Sequence, residues 1–130
     1  MKKITYISVI TFLSLFCIYM YAGTKGLSIL PAEVSSAMKN GDASTLAKYF
    51  NSSIELEISG KDAIYSKSQA EVIIKDFFTK NPPSAFVIKF EGGPENSQYT
   101  VGTLTTSKGN YRVNFLIKNN LIHQLRIDKE

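Results

Sequence analysis

The stretch SQAEVIIKDFFTKNPPSAFVIKFE, residues 68–91, contains the change from helix to strand that decides the fold. Ser68 and Glu71 have the spacing of a helix capping box. The residues that follow predict one apolar helix face, made of Ala70, Ile73, Ile74, Phe77 and Phe78. Pro82 and Pro83 should end this helix, because proline lacks a backbone N–H and biases the residue before it toward extended geometry.

An antiparallel meander is predicted after the prolines. Four strands are expected, at residues 85–91, 98–106, 111–118 and 121–128. The segments between them are rich in glycine, asparagine, serine and proline, which favour tight turns. Because such short connections reverse the chain, consecutive strands should pair antiparallel.

Two short helices and a strand pair are predicted before residue 68. The first helix has apolar residues at helical spacing, with Pro31 in its first turn and Gly41 as its stop: Leu30, Val34, Ala37 and Met38. Asp42 can cap a second helix, whose apolar face is Ala43, Leu46, Ala47 and Phe50. A period of two from Ile54 to Ile58 predicts a half-buried strand with Glu55 and Glu57 toward water, and residues 63–65 return beside it. This order predicts an α+β domain, with N-terminal helices packed on a curved antiparallel sheet.

The N-terminus has the layout of a secretory leader. Lys2 and Lys3 precede a charge-free run at residues 4–21. Ala22 suits signal peptidase cleavage and Met20 does not, while the run nearly reaches the roughly 20 residues of a membrane span. Residues 1–22 are therefore predicted to be a signal peptide or an N-terminal membrane anchor, residues 23–29 a linker, and residues 30–130 a single domain. We expect an exported protein that is periplasmic or in the cell envelope. If residues 1–22 are an anchor, the protein is attached to the inner membrane.

Composition argues against several classes of function. Two of the 15 lysines and arginines lie in the leader, so the other 13 nearly balance 11 acidic residues, and no nucleic acid partner is expected. The only cysteine, Cys17, lies in the leader, and the chain has a single histidine. The sequence therefore predicts no metal site and no cofactor. Contact with a membrane is expected only through an uncleaved leader.

One candidate ligand pocket can be named from aromatic residues that fall on the predicted helix and strands: Phe77, Phe86, Tyr111, Phe115 and His123. Aromatic rings at such positions more commonly fill a core. His123 shares strand parity with Leu121, Leu125 and Ile127, which would turn it toward the concave side of the sheet. No acidic or nucleophilic companion stands out beside it, so we predict a structural histidine and no catalytic residue.

Four groups of residues carry a resemblance to a known family: Asp42 with Leu46, Tyr49 and Phe50; Ser68 to Glu71 with Phe77 and Phe78; Phe86 with Gly92; and Tyr111 with Val113. Residues 31–127 resemble the nuclear transport factor 2-like, or cystatin-like, superfamily. In particular, they resemble the small exported bacterial family called domain of unknown function 4783. The resemblance implies the helix-covered, cone-shaped sheet of that superfamily, whose members include isomerases, dehydratases, carriers and adaptors.

The residues leave three hypotheses for function. A non-catalytic binding or interaction module is favoured, because the carboxylates of the isomerase-type members cannot be mapped onto this chain. The alternatives are a carrier of a small hydrophobic ligand in the cone and an enzyme of the isomerase or dehydratase type. The partner is not identified by the sequence, and a homodimer is one possibility.

Overall fold

The computed structural model describes residues 28–130. The leader, with Cys17, and most of the predicted linker lie outside the described residues. Within the described range three helices and six strands follow one another: α1 (Ala32–Asn40), α2 (Ala43–Ala47), β1 (Phe50–Ile58), β2 (Lys61–Ser66), α3 (Lys67–Lys80), β3 (Pro83–Gly92), β4 (Gln98–Thr106), β5 (Gly109–Lys118) and β6 (Leu121–Lys129).

The strands form one curved sheet in the order β2-β1-β6-β5-β4-β3, so the predicted α+β architecture is confirmed. Consecutive strands of the meander from β3 to β6 pair antiparallel, as predicted. β1 pairs with β6 in parallel, and Leu56 lies opposite Leu125. This parallel pair brings the first strand beside the last and so joins the β1–β2 hairpin to the meander.

The core lies between the helices and the concave face of the sheet. Every second residue of β4 and β5 is buried there, including Leu104, Val113 and Phe115. The helices contribute apolar residues that are also fully buried: Val34, Met38, Leu46 and Ile74. Burying one such side chain contributes about 1.5–3 kcal/mol.

The ends of α1 and α2 follow the predicted chemistry. Gly41 ends α1 at φ 67°, in the left-handed region that glycine adopts without strain. Asp42 caps α2, because its carboxylate accepts hydrogen bonds from the Thr45 amide at 3.1 Å and from the Thr45 hydroxyl at 2.6 Å.

Three predicted helix boundaries were wrong. Leu30 and Pro31, predicted on α1, precede it, because α1 begins at Ala32 and Pro31 is its N-cap. The capping box of α3 is formed by Ser66 and Gln69, and not by Ser68 and Glu71. The Ser66 hydroxyl accepts from the Gln69 amide at 3.3 Å, and the Gln69 side chain accepts from the Ser66 amide at 3.1 Å. Phe50, predicted on α2, is the first residue of β1; it is nevertheless buried, because it pairs with Ile122 of β6.

Glu91 fastens the N-terminal entry of the chain to the sheet. Its carboxylate accepts hydrogen bonds from four groups: the Ser28 hydroxyl at 2.8 Å, the Ile29 amide at 3.3 Å, the Leu30 amide at 3.1 Å and the Thr100 hydroxyl at 3.3 Å. Desolvation by burial opposes ionisation, but these hydrogen bonds together outweigh it and hold the pKa of Glu91 below its usual value of 4.5. The ionised carboxylate therefore stabilises the position of the entering chain.

Candidate functional site

Four of the five predicted pocket residues form the aromatic interior of the cone. The Phe77 and Tyr111 rings meet edge to face, with centroids 5.1 Å apart and an angle of 85°. Phe86 and Phe115 form a second pair of this kind, at 6.2 Å and 80°. Phe77, Tyr111 and Phe115 are buried, and Phe86 packs against them from the edge of the core. These rings fill the cone with side chains.

A glycine makes room for one of these rings. Gly102 lies on β4 opposite Ile88 of β3, and the Phe86 ring lies directly against it. A Cβ atom at Gly102 would be 2.6 Å from two carbons of that ring and 2.9 Å from the Val87 carbonyl oxygen. The interior is therefore packed so closely at this point that not even one additional methyl group fits.

Tyr111 is hydrogen-bonded to the side-chain amide of Asn81. Its hydroxyl donates to the Asn81 side-chain oxygen at 3.0 Å. The Asn81 side-chain nitrogen in turn donates to the Phe77 carbonyl oxygen at 3.0 Å. This chain of hydrogen bonds fixes the end of α3 to the beginning of β5, which is a structural role for Tyr111.

An open cavity of about 410 Å³ lies at the mouth of the cone, between α3 and the β1–β2 hairpin. Its floor is apolar and consists of Leu56, Ile58, Ile73, Phe77 and Tyr111. Its rim consists of Ser59, Lys61, Tyr65, Asp76, Lys80 and Asn81. We call it the mouth cavity; its volume lies in the range typical of small-molecule sites.

The rim of the mouth cavity carries one paired and one unpaired cation. The Lys80 ammonium lies 2.8 Å from an Asp76 carboxylate oxygen, one helical turn away. Lys61 is exposed and makes no ion pair with any residue of the described range. A ligand in this cavity would meet an apolar floor and a net positive rim.

His123 lies away from the aromatic interior, where its strand parity had predicted it. The prediction failed because the alternation of β6 is interrupted. A bulge shifts the register of β5 and β6, so that Ile117 pairs with Ile122 while Leu116 pairs with Gln124. Ile122 is consequently buried, and His123 is half-buried. His123 does not line the mouth cavity.

Sequence reasoning named Phe77 and Tyr111 but missed the remaining lining of the mouth cavity. The sequence contained a signal for part of this lining, because Leu56 and Ile58 have the same strand parity and so face the same side of the sheet. The tight turn at Ser59 and Gly60 then places Lys61 opposite Ile58. The side of the cavity formed by α3 could not be placed from the sequence, because it depends on where the helix lies on the sheet.

Residues 28–130 contain neither a membrane-spanning helix nor a group of side chains that could hold a metal ion. No helix in this range is long and apolar enough to cross a membrane. Nor do three or more His, Cys, Asp or Glu side chains of these residues come together as a group that could hold a metal ion.

The curved sheet, its helical cover and the cone define an α+β protein with a nuclear transport factor 2-like, or cystatin-like, fold. A bacterial protein with a cystatin-like fold from Silicibacter pomeroyi superposes with a TM-score of 0.59 at 12% identity, covering 82% of this chain and 77% of that chain. The family model described as Domain of unknown function (DUF4783) matches residues 31–128. The chain therefore belongs to the DUF4783 family.

Solved structures of this family are similar to the chain over most of its length. A DUF4783 family protein from Bacteroides ovatus is 39% identical, with a TM-score of 0.74, covering 78% of this chain and 96% of that chain. Another, from Bacteroides fragilis, is 34% identical, with a TM-score of 0.74, covering 78% of this chain and 99% of that chain. No curated protein shows a significant match. The family therefore establishes the fold and leaves the activity to be inferred from the site.

Proposed function

We propose that this protein is an exported, non-catalytic binding module that binds its ligand in the mouth cavity. The observation that carries this proposal is the filled interior of the cone, where the two edge-to-face aromatic pairs occupy the space that a carrier would need. The mouth cavity is the part of the cone that stays open, and buried apolar side chains form much of its floor.

The chemistry of the rim favours a ligand with an apolar body and one anionic group. The apolar body would cover Ile58, Ile73 and the Phe77 ring, which gives a favourable free energy through the loss of hydrated apolar surface. The anionic group would approach Lys61, whose charge has no protein partner in the described range. The same chemistry is found in a small amphipathic molecule and in an acidic, apolar segment of a partner protein.

The two alternative functions have less support. An isomerase or dehydratase would need a carboxyl group beside Tyr111, where this chain has the Asn81 amide. Asp76, the carboxylate that lines the mouth cavity, is exposed and paired with Lys80. A carrier that encloses its ligand would need an empty interior, and the close packing at Gly102 opposes this.

The binding proposal can be tested with residues 23–130 and the fluorescent amphiphile anilinonaphthalene sulfonate. We expect saturable binding, measured as an increase in dye emission. Lys61→Gln should raise the Kd by up to about fivefold, since an ion pair at an exposed lysine is worth up to about 1 kcal/mol. Binding of the uncharged analogue N-phenylnaphthylamine should be unchanged by this substitution, because Lys61 acts on the anionic group alone.

Matched variants locate the site. Ile73→Glu places a negative charge on the cavity wall and should abolish dye binding, whereas Val87→Glu makes the same type of change on the opposite side of the sheet and should leave the Kd unchanged. Lys75→Gln is the control for charge on α3. Equal effects of Lys61→Gln and Lys75→Gln, in variants with unchanged circular dichroism, would refute binding at the mouth cavity.

A further inference from the structure

The convex side of the sheet carries an exposed apolar area that the core does not explain. Val87 and Phe90 of β3 and Tyr99 of β4 are 51%, 57% and 39% exposed. We call these three residues the outer aromatic surface. They lie on the face opposite the core, because their neighbours Phe86, Glu91 and Thr100 have the inward parity of their strands.

The rings of this surface are held in place. Phe90 and Tyr99 stack with centroids 5.7 Å apart and an angle of 21°. Tyr99 extends over Gly92, where its hydroxyl oxygen is 3.1 Å from the position that a Cβ atom would take. A pair of rings fixed in this way loses little conformational freedom when another surface covers it.

The chain enters the domain at the strand that carries this surface, on the core side of the sheet. Ser28 is hydrogen-bonded to Glu91, the residue that follows Phe90. Residues 23–27 alone separate Ser28 from the apolar leader, and a fully extended chain spans at most about 3.6 Å per residue. A leader that stays in a membrane therefore keeps this end of β3 within about 20 Å of the bilayer.

We propose that the leader is retained as an anchor and that the outer aromatic surface lies on the lipid surface of the same membrane. Met20 disfavours the cleavage site before Gly23. Tyrosine is enriched at membrane interfaces because its ring is apolar and its hydroxyl polar, and the exposed Lys89 suits anionic headgroups. This proposal goes beyond the proposed function and does not depend on it.

This placement leaves the mouth cavity free. Tyr111, on the floor of the cavity, is at the beginning of β5, whereas Leu116, which pairs with Tyr99, is near its other end. Tyr99 is therefore five residue steps, or about 17 Å, from the level of Tyr111, and Val87, which is level with Arg112, lies on the face of the sheet opposite the buried Tyr111 ring. A domain that rests on its outer aromatic surface would therefore hold the mouth cavity away from the bilayer, open to the surrounding compartment.

The absence of tryptophan from the chain makes a direct test possible. We would place a single tryptophan in the full chain by Phe90→Trp or, as the matched control, by Ile64→Trp. Ile64 is 74% exposed on β2, at the other edge of the sheet. Each variant is reconstituted into vesicles of phosphatidylethanolamine and phosphatidylglycerol, with and without brominated acyl chains, which quench tryptophan at the depth of interfacial side chains.

The expected result is an emission about twofold lower in brominated vesicles for Phe90→Trp and unchanged for Ile64→Trp. Equal quenching of the two variants, or none, would overturn the proposal. An emission maximum that moves to shorter wavelength as the protein concentration rises, without quenching by the brominated lipid, would also overturn the proposal. A second copy of the chain would then cover the surface. In cells, the full-length chain should sediment with membranes; a shortened chain in the soluble fraction would show that the leader is not an anchor.

Discussion

Phe77→Ala is expected to lower the free energy of unfolding by about 3 to 5 kcal/mol, because it removes a buried ring from the centre of the aromatic interior. Phe77 is 6% exposed and contacts the rings of Tyr111 and Phe78, with centroids 5.1 and 5.9 Å away. The surrounding rings belong to different elements, α3 and β5, so they cannot close the cavity without moving the helix. Urea unfolding of residues 23–130 measures the change.

Lys75→Ala is the control for this prediction. Lys75 lies on the same helix and is exposed, so its replacement should change the free energy of unfolding by less than about 0.5 kcal/mol. Similar losses in the two variants would mean that α3 packs on the sheet with another face than the one that contains Ile74 and Phe77.

Glu91→Gln is expected to cost about 1 to 3 kcal/mol at neutral pH, since hydrogen bonds to a charged group are weakened or lost. Burial acts against the ionised form, but the hydrogen bonds from residues 28–30 and Thr100 lower the pKa of Glu91 overall. The stabilisation is therefore fully present above the usual value of 4.5 and is lost as the pH falls through the lower pKa of the folded protein. The free energy of unfolding, measured as a function of pH, should therefore fall in the wild type toward that of the variant below about pH 4.5.

Glu95→Gln serves as the control, because Glu95 lies exposed in the turn between β3 and β4. It should change the free energy of unfolding by less than about 0.5 kcal/mol at every pH. A Glu91→Gln variant as stable as the wild type at neutral pH would show that the fastening of the N-terminal segment contributes nothing to stability.

The sequence predicted those parts of the fold that depend on local chemistry. The periods of 3.6 and 2 placed α3 and the four strands of the meander, and Pro82 and Pro83 marked the end of α3. Asn119 and Asn120, which lie in the predicted tight turn between the last two strands, adopt positive φ values of 51° and 62°. These features are predictable because each depends only on residues that are close together along the chain.

Features that depend on distant residues could not be predicted. The parallel pairing of β1 with β6 joins residues about seventy positions apart, and no local pattern encodes it. The bulge at His123 was missed although it lies in a local hairpin, because strand alternation along β6 does not reveal an extra residue in the pairing with β5. The aromatic candidates were recognised from their types and parity, but only the packed structure shows that Phe86 and Phe115 close the interior while Phe77 and Tyr111 reach its mouth.

The central claim, that a ligand binds at the mouth of a filled cone, is tested most directly by NMR of isoleucine δ1 methyl groups. The dye anilinonaphthalene sulfonate would be titrated into residues 23–130. Ile58 and Ile73 line the mouth cavity, whereas Ile117 and Ile122 are buried in the core. The methyl signals of Ile58 and Ile73 should shift and saturate while those of Ile117 and Ile122 stay in place; shifts centred on Ile117 and Ile122, or no saturable shift at any of the four, would contradict the claim.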